Sequence, residues 1–257
     1  ADNAILDLEY QVEKGYIDQN IAKGERKSVL KLLGDVVLTK VKTLPLSQKY
    51  DLFTTLLADL HRKDIQIYFN DEELEDIVAG SGWDGTVVSP WKDDFFMLVD
   101  ANLGALKTDY RMERRIEYLV DLSQSTPKAT LKMIYRHTGM ARDWYTKDYV
   151  SYLRAYIPEG SYVTRVTNGN TPVYGSELGK KYVGVIVGVP LASEKTVTFE
   201  YTLPTTVTRA EGYDLKVLKQ PGTKDIPTAI TIIEKDGNIK TYNETLNRDF
   251  ILSEREL

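Results

Sequence analysis

Asp100, Asn102, Lys107, Asp109 and Tyr110 lie within eleven residues, directly after the apolar run Phe95-Phe96-Met97-Leu98-Val99. Glycoside hydrolysis needs only two carboxyl groups held at a set separation, so Asp93, Asp94, Asp100 and Asp109 are the candidates for that chemistry. With 38 acidic residues in the chain, however, carboxylates near one another are common without any function. Asp100-Ala101-Asn102-Leu103-Gly104 also opens like a calcium loop, whose oxygen ligands alternate along the chain. The third ligand and the distal Glu of such a loop are missing. The simpler reading is a turn closed by its own Asp and Asn side chains, with a structural cation near Asp100 as the minor alternative. The reading assigns no catalytic residue, no metal ligand and no cofactor; it keeps these five residues as a possible ligand or cation site.

A second group is aromatic. The chain holds 17 tyrosines, and Trp144, Tyr145, Tyr149, Tyr152 and Tyr156 crowd one region beside Arg142, Asp143 and Arg154. Exposed rings of this kind stack on sugars or anchor protein partners. Trp144, Tyr149, Tyr152, Arg154 and Tyr156 therefore form a possible binding face. Tyr152 and Tyr156 share strand parity, so packing in a core is the competing explanation.

Other chemistries find little support. Cysteine is absent, which removes disulfides, thiolate nucleophiles and zinc–thiolate sites. The two histidines, His61 and His137, each fall at the end of an element, where a boundary role is the ordinary one. Gly175-Ser176-Glu177-Leu178-Gly179-Lys180-Lys181 is one residue short of a phosphate loop and lacks its Ser/Thr. Ser81 sits in a helix exit without the spacing of a nucleophile elbow. A net charge of −5 argues against a nucleic-acid partner. No stretch approaches the roughly 18 apolar residues of a membrane span.

The elements that must position these groups change character along the chain. Ile5, Leu8 and Val12 are spaced for a first helix that Gly15 weakens. Val29, Leu33, Val36, Val37 and Val41 make an apolar stripe over residues 25–43, and Pro45 stops it. Ser47 reads as the cap of a helix carrying Tyr50, Phe53, Leu56, Leu57 and Leu60. The two stripes are expected to pack on each other; an exposed stripe would instead mark a helical adaptor. Gln66–Phe69 reads as a short strand, and Asn70 with Glu73 as the cap pair of a helix through Val78.

Beyond Trp91 the period becomes two. Ile116, Tyr118, Val120 and Leu122 alternate with Glu117 and Asp121, and Leu131, Met133 and Tyr135 with Lys132 and Arg136, around Ser125-Thr126-Pro127. Further strands are expected over 149–157, 161–167, 181–189, 196–203, 214–219 and 228–235, and Asp236-Gly237 is the clearest hairpin turn. The predicted class is α+β, with a helical subdomain at 1–92 and an antiparallel, immunoglobulin-like β-sandwich at 93–257.

Three segments together resemble the bacterial family catalogued as domain of unknown function 4012. They are Phe96 to Gly104 with Lys107-Thr108-Asp109-Tyr110, Asp148-Tyr149 with Tyr152 to Gly160, and Tyr213-Asp214-Leu215 leading to Lys219-Gln220-Pro221-Gly222-Thr223. The resemblance implies the C-terminal, extracytoplasmic part of an envelope protein whose membrane contact lies in a further N-terminal segment. A sequence that begins without Met agrees with that expectation. No family activity or site residue comes with it. The expected function is a non-catalytic cell-envelope module in a structural, adhesive or surface-binding role, with a surface glycan or an envelope protein as partner. An accessory factor or enzyme acting on envelope polysaccharide is the alternative.

Overall fold

The computed structural model describes residues 2–87, 91–104, 106–207 and 212–253, with side chains from Leu6 onward. The chain divides into two compact units, Ala1–Leu57 and Ala58–Leu257.

In the first unit, α1 (Asp2–Tyr10) runs into a π-helical turn over Gln11–Gly15 and then α2 (Tyr16–Asp18), so the helix continues past Gly15. Next come α3 (Ser28–Thr43) and α4 (Leu46–His61), whose last residues belong to the second unit. Pro45 forces Leu44 into an extended conformation and ends α3. The following helix starts at Leu46, which places Ser47 inside its first turn instead of at its cap. The expected packing of stripe on stripe is not found, because α3 buries none of its residues. Leu33, Val37 and Phe53 are exposed and Leu57 is half-buried.

The second unit begins with a charged clasp. Arg62 pairs with Asp225 at 2.7 Å and Lys63 with Asp249 at 2.6 Å. The Lys219 ammonium, fully buried, donates to the Arg62 carbonyl at 2.8 Å and lies 3.6 Å from Asp64. These pairs fasten residues 62–64 to the strands, so residues 58–92 belong to the unit that holds the sheets, although their sequence groups them with the helical front. Gln66–Phe69 forms no strand; it is extended coil held by Ile67 N–H to the Trp83 carbonyl at 3.0 Å. The cap of α5 (Glu72–Gly80) is Asp71, whose carboxylate accepts from Leu74 N–H, in place of Asn70. Glu75 in turn accepts from Phe69 N–H at 2.8 Å.

Twelve strands follow: β1 (Asp94–Asn102), β2 (Met112–Asp121), β3 (Lys128–His137), β4 (Tyr149–Pro158), β5 (Tyr162–Thr167), β6 (Val173–Glu177), β7 (Lys180–Val189), β8 (Glu194–Thr202), β9 (Asp214–Leu218), β10 (Ile226–Ile233), β11 (Ile239–Leu246) and β12 (Phe250–Ser253). They form two six-stranded sheets, ordered β12-β9-β1-β4-β7-β6 and β11-β10-β2-β3-β8-β5. One apolar core takes side chains from both sheets, among them Phe96, Ile116, Leu131, Leu153, Val185, Phe199, Val217 and Ile230. The architecture is therefore an open sandwich. It is not wholly antiparallel as expected: β1 runs parallel to β9, and β2 parallel to β10. Parallel neighbours need long connections, so no hairpin signal in the sequence marks them.

The stretch from Gly175 to Lys181 is the β6–β7 hairpin, with Leu178 and Gly179 at φ 54° and 64° in its turn, and not a phosphate loop. The hairpin at Asp236-Gly237 forms as expected, Gly237 taking φ 85° and Asp236 accepting from Asn238 N–H at 2.9 Å.

Candidate functional site

Strand β1 alternates between the core and the outer face of its sheet. Phe96 and Leu98 enter the core between the sheets, while Phe95 and Met97 join a smaller cluster with Tyr156 and Leu218 on the other face. Asp94 and Asp100 share the inward parity and bracket Phe96 and Leu98. Six residue steps of strand separate them, about 20 Å at the usual rise. That span exceeds the separation at which two carboxyl groups share one glycosidic bond.

Asp100 is saturated. Arg114 Nε donates to its Oδ2 at 2.8 Å, and Tyr135 OH and Ser151 Oγ donate to its Oδ1 at 2.7 and 2.6 Å. The side chains of Asp100 and Arg114 are each 4% exposed. Asp109 takes the second guanidinium nitrogen of Arg114 and a hydrogen bond from Tyr149 OH at 3.1 Å. Burial alone would pull the Arg114 guanidinium down, but Asp100 and Asp109 outweigh it and hold it above its ordinary value. Burial, and then the nearby Asp100 charge, push the Tyr135 and Tyr149 phenols up, so both stay protonated as donors. Gln220 completes the arrangement just past the end of β9. Its amide accepts from Asp100 N–H at 2.7 Å and donates to the Asp100 carbonyl at 2.9 Å, extending the ladder by a side chain.

The remaining residues of the first group sit outside this network. Asn102 closes the turn as expected, accepting from Gly104 N–H at 2.8 Å and donating to the Leu106 carbonyl at 3.0 Å. Asp100 does not share that work; its partners are side chains of β2, β3 and β4. Asn102, Lys107, Asp109 and Tyr110, with Tyr145 and Lys224, line a shallow depression of about 270 Å³. Asp109 is the one member that bridges both environments, its side chain being 44% exposed. Tyr110 packs edge-on to Tyr145, and Lys224 lies 4.6 Å over its ring.

The aromatic group is not one face. Tyr149 lies in the core between the sheets. Trp144 stacks edge-on against Tyr145, beside the depression. Arg154 sits 5.9 Å from the Tyr152 ring and 5.5 Å from the Tyr156 ring, and Glu177 binds both Arg154 and the Tyr156 hydroxyl. Tyr152 lies over Gly184, where a Cβ would collide with its phenol. Parity thus sends Tyr149 inward, while Tyr152, Arg154 and Tyr156 stand on the outer face of their sheet.

At the other end of β1, Asp94 is fully buried and accepts from Tyr118 OH, Tyr213 OH and Phe95 N–H. Burial pushes its carboxyl up to about 6, against the pull of those hydrogen bonds. His137 is also structural: its Nδ1 accepts from Gly139 N–H at 3.0 Å, and its Nε2 lies 2.9 Å from the Lys147 carbonyl. His61 Nδ1 stands 3.5 Å from Trp83 Nε1. Among the described residues, no three His, Asp or Glu side chains gather as a metal-ligand set.

Arg114, Tyr135, Ser151 and Gln220 were not singled out from the sequence. For Arg114 a signal exists: it occupies the inward parity of β2, in line with Met112, Ile116 and Tyr118. A charge on the apolar phase of a strand calls for a buried partner.

No protein-family model and no curated protein matches the chain. Among solved structures, an M1 zinc metallopeptidase from Deinococcus radiodurans is similar over 55% of this chain and 42% of its own, with 10% identity and a TM-score of 0.27. A point mutant of that enzyme gives the same coverage, 9% identity and a TM-score of 0.29. The chain spans less than half the length of these structures, and a likeness at such TM-scores carries no argument.

Proposed function

We propose that this chain is a non-catalytic, extracytoplasmic cell-envelope module with a structural, adhesive or surface-binding role. The observation that carries the non-catalytic part is the saturation of Asp100, whose carboxylate is buried and engaged by Arg114, Tyr135 and Ser151. A carboxylate so held has no open approach for a substrate. The envelope setting rests on the resemblance in the three segments read above. An immunoglobulin-like kinship belongs to the same proposal, supported by two face-packed sheets around one core and qualified by the parallel pair in each sheet.

A second reading, an accessory factor or enzyme acting on envelope polysaccharide, is favoured by the half-exposed Asp109 in a depression edged by Tyr110 and Lys107. Reducing-end release from isolated cell-wall polysaccharides separates the two. The purified chain and its Asp109→Asn variant are both expected to stay at the blank. Release by the parent that vanishes in the variant overturns the non-catalytic reading.

A further inference from the structure

Two lysines, Lys180 and Lys216, stand on the outer face of the first sheet. Lys180 opens β7 and is 4% exposed, its Nζ 5.0 Å from the centre of the Phe95 ring. Lys216 lies on β9 opposite Phe95 in the ladder, its Nζ 5.5 Å over the Trp91 ring. Neither ammonium has a hydrogen bond or an ion pair among the described residues. Lys180 lines a cavity of about 190 Å³ together with Trp91, Asp93 and Glu159. A water occupies about 30 Å³ of liquid, so the space admits a group of several heavy atoms.

An ammonium taken out of water is unfavourable unless it is paired. Burial and then the neighbouring Lys216 both pull the Lys180 amine down, and Glu159 opposes them only from beyond ion-pair distance. A carboxylate entering the cavity would relieve the burial and the lysine–lysine repulsion together. The acidic side chain of Glu159 on the same wall disfavours a more highly charged anion. We propose that this cavity is a binding site for a single carboxylate group, received by Lys180 with Lys216 as the supporting charge, and carried by a small organic acid or an acidic sugar.

The test is a titration of the full chain, carrying ¹⁵N-labelled lysine, with sodium acetate and with sodium glucuronate at constant ionic strength, following the lysine side-chain resonances by NMR. The expected result is a saturable shift of the Lys180 signal. Binding is abolished in Lys180→Met, weakened about tenfold in Lys216→Met, and unchanged in Lys235→Met, which removes an exposed lysine that does not line the cavity. Saturation by acetate identifies the carboxylate alone as sufficient, and saturation only by glucuronate assigns the site to an acidic sugar. Failure of both probes to saturate overturns the proposal. So does binding at parental strength in Lys216→Met, which keeps the buried amine and decides the matter if Lys180→Met does not fold.

Discussion

Arg114→Met is expected to destabilise the sheet-bearing unit by about 3–5 kcal/mol, the cost typical of removing one partner of a buried ion pair. Methionine retains much of the aliphatic stem of arginine, so the packing between the Tyr135 and Tyr149 rings is largely kept. What is lost is the charge that neutralises Asp100 in a site 4% exposed. Tyr135 and Ser151 still donate to Asp100, but neutral hydroxyls only partly offset an unpaired buried anion. Urea unfolding at pH 7 reads the change directly. For a unit of this size it amounts to a fall in Tm of roughly 6–20 °C. Asp109→Ala should cost much less, because that side chain is 44% exposed and solvent screens its share of the pair.

The second large effect is a pH dependence centred on Asp94. Its carboxyl titrates near 6 in the folded chain, against an ordinary value of 3.8. A group whose folded value is raised binds its proton more tightly in the folded state. Its favourable contribution is therefore complete below about pH 4 and is lost as the pH rises through 6. At 1.36 kcal/mol per unit, the full shift is worth about 3 kcal/mol, of which about 2 kcal/mol is lost between those limits. The groups around it are Tyr118, Tyr213, Tyr201 and Asp93; the tyrosines remain protonated throughout this range, their phenols pushed far up by burial. Asp94→Asn cannot titrate. Relative to the parent, this variant should gain about 2 kcal/mol of stability between pH 4 and pH 7 when unfolding is measured at both. A difference between the two chains that stays constant with pH would contradict the assignment of Asp94 as a buried acid.

How far the sequence discloses this fold depends on the range over which each signal acts. The alternation of Ile116, Tyr118 and Val120 is local, and so are the turns at Pro127 and Gly237, so β2, β3, β10 and β11 are legible with their neighbours across each hairpin. The pairings of β1 with β9 and β2 with β10 join segments more than a hundred residues apart, and no turn residue announces them. The strand β1 also reads poorly as alternating because both of its faces are covered, which makes it a continuous apolar run. The helical stripe on α3 is legible, but the expectation that the stripe of α4 covers it fails.

The candidate site follows the same rule. Asn102 closing its own turn is a contact over two and four residues, and it forms as read. The turn preference of Asp suggests the same for Asp100, yet its position on the inward phase of β1 carries it into the core instead. Gln220 meets it from 120 residues away. Arg114 was the accessible clue, since its parity in β2 places a guanidinium where the strand otherwise buries Met112 and Ile116. Likewise Tyr149 and Tyr152 differ in parity, which already divides the aromatic group between two faces.

The claim that Asp100 is consumed by structure, and so has no chemistry to offer, is tested most directly by a double-mutant cycle between Arg114→Met and Asp100→Leu in urea unfolding. The account predicts strong coupling. With both charges gone, the double variant should recover most of what Arg114→Met loses, leaving an interaction of about 2–3 kcal/mol between the two positions. Additive losses, each within about 0.5 kcal/mol of the parent as at ordinary surface sites, would contradict it and return Asp100 to the pool of free carboxylates.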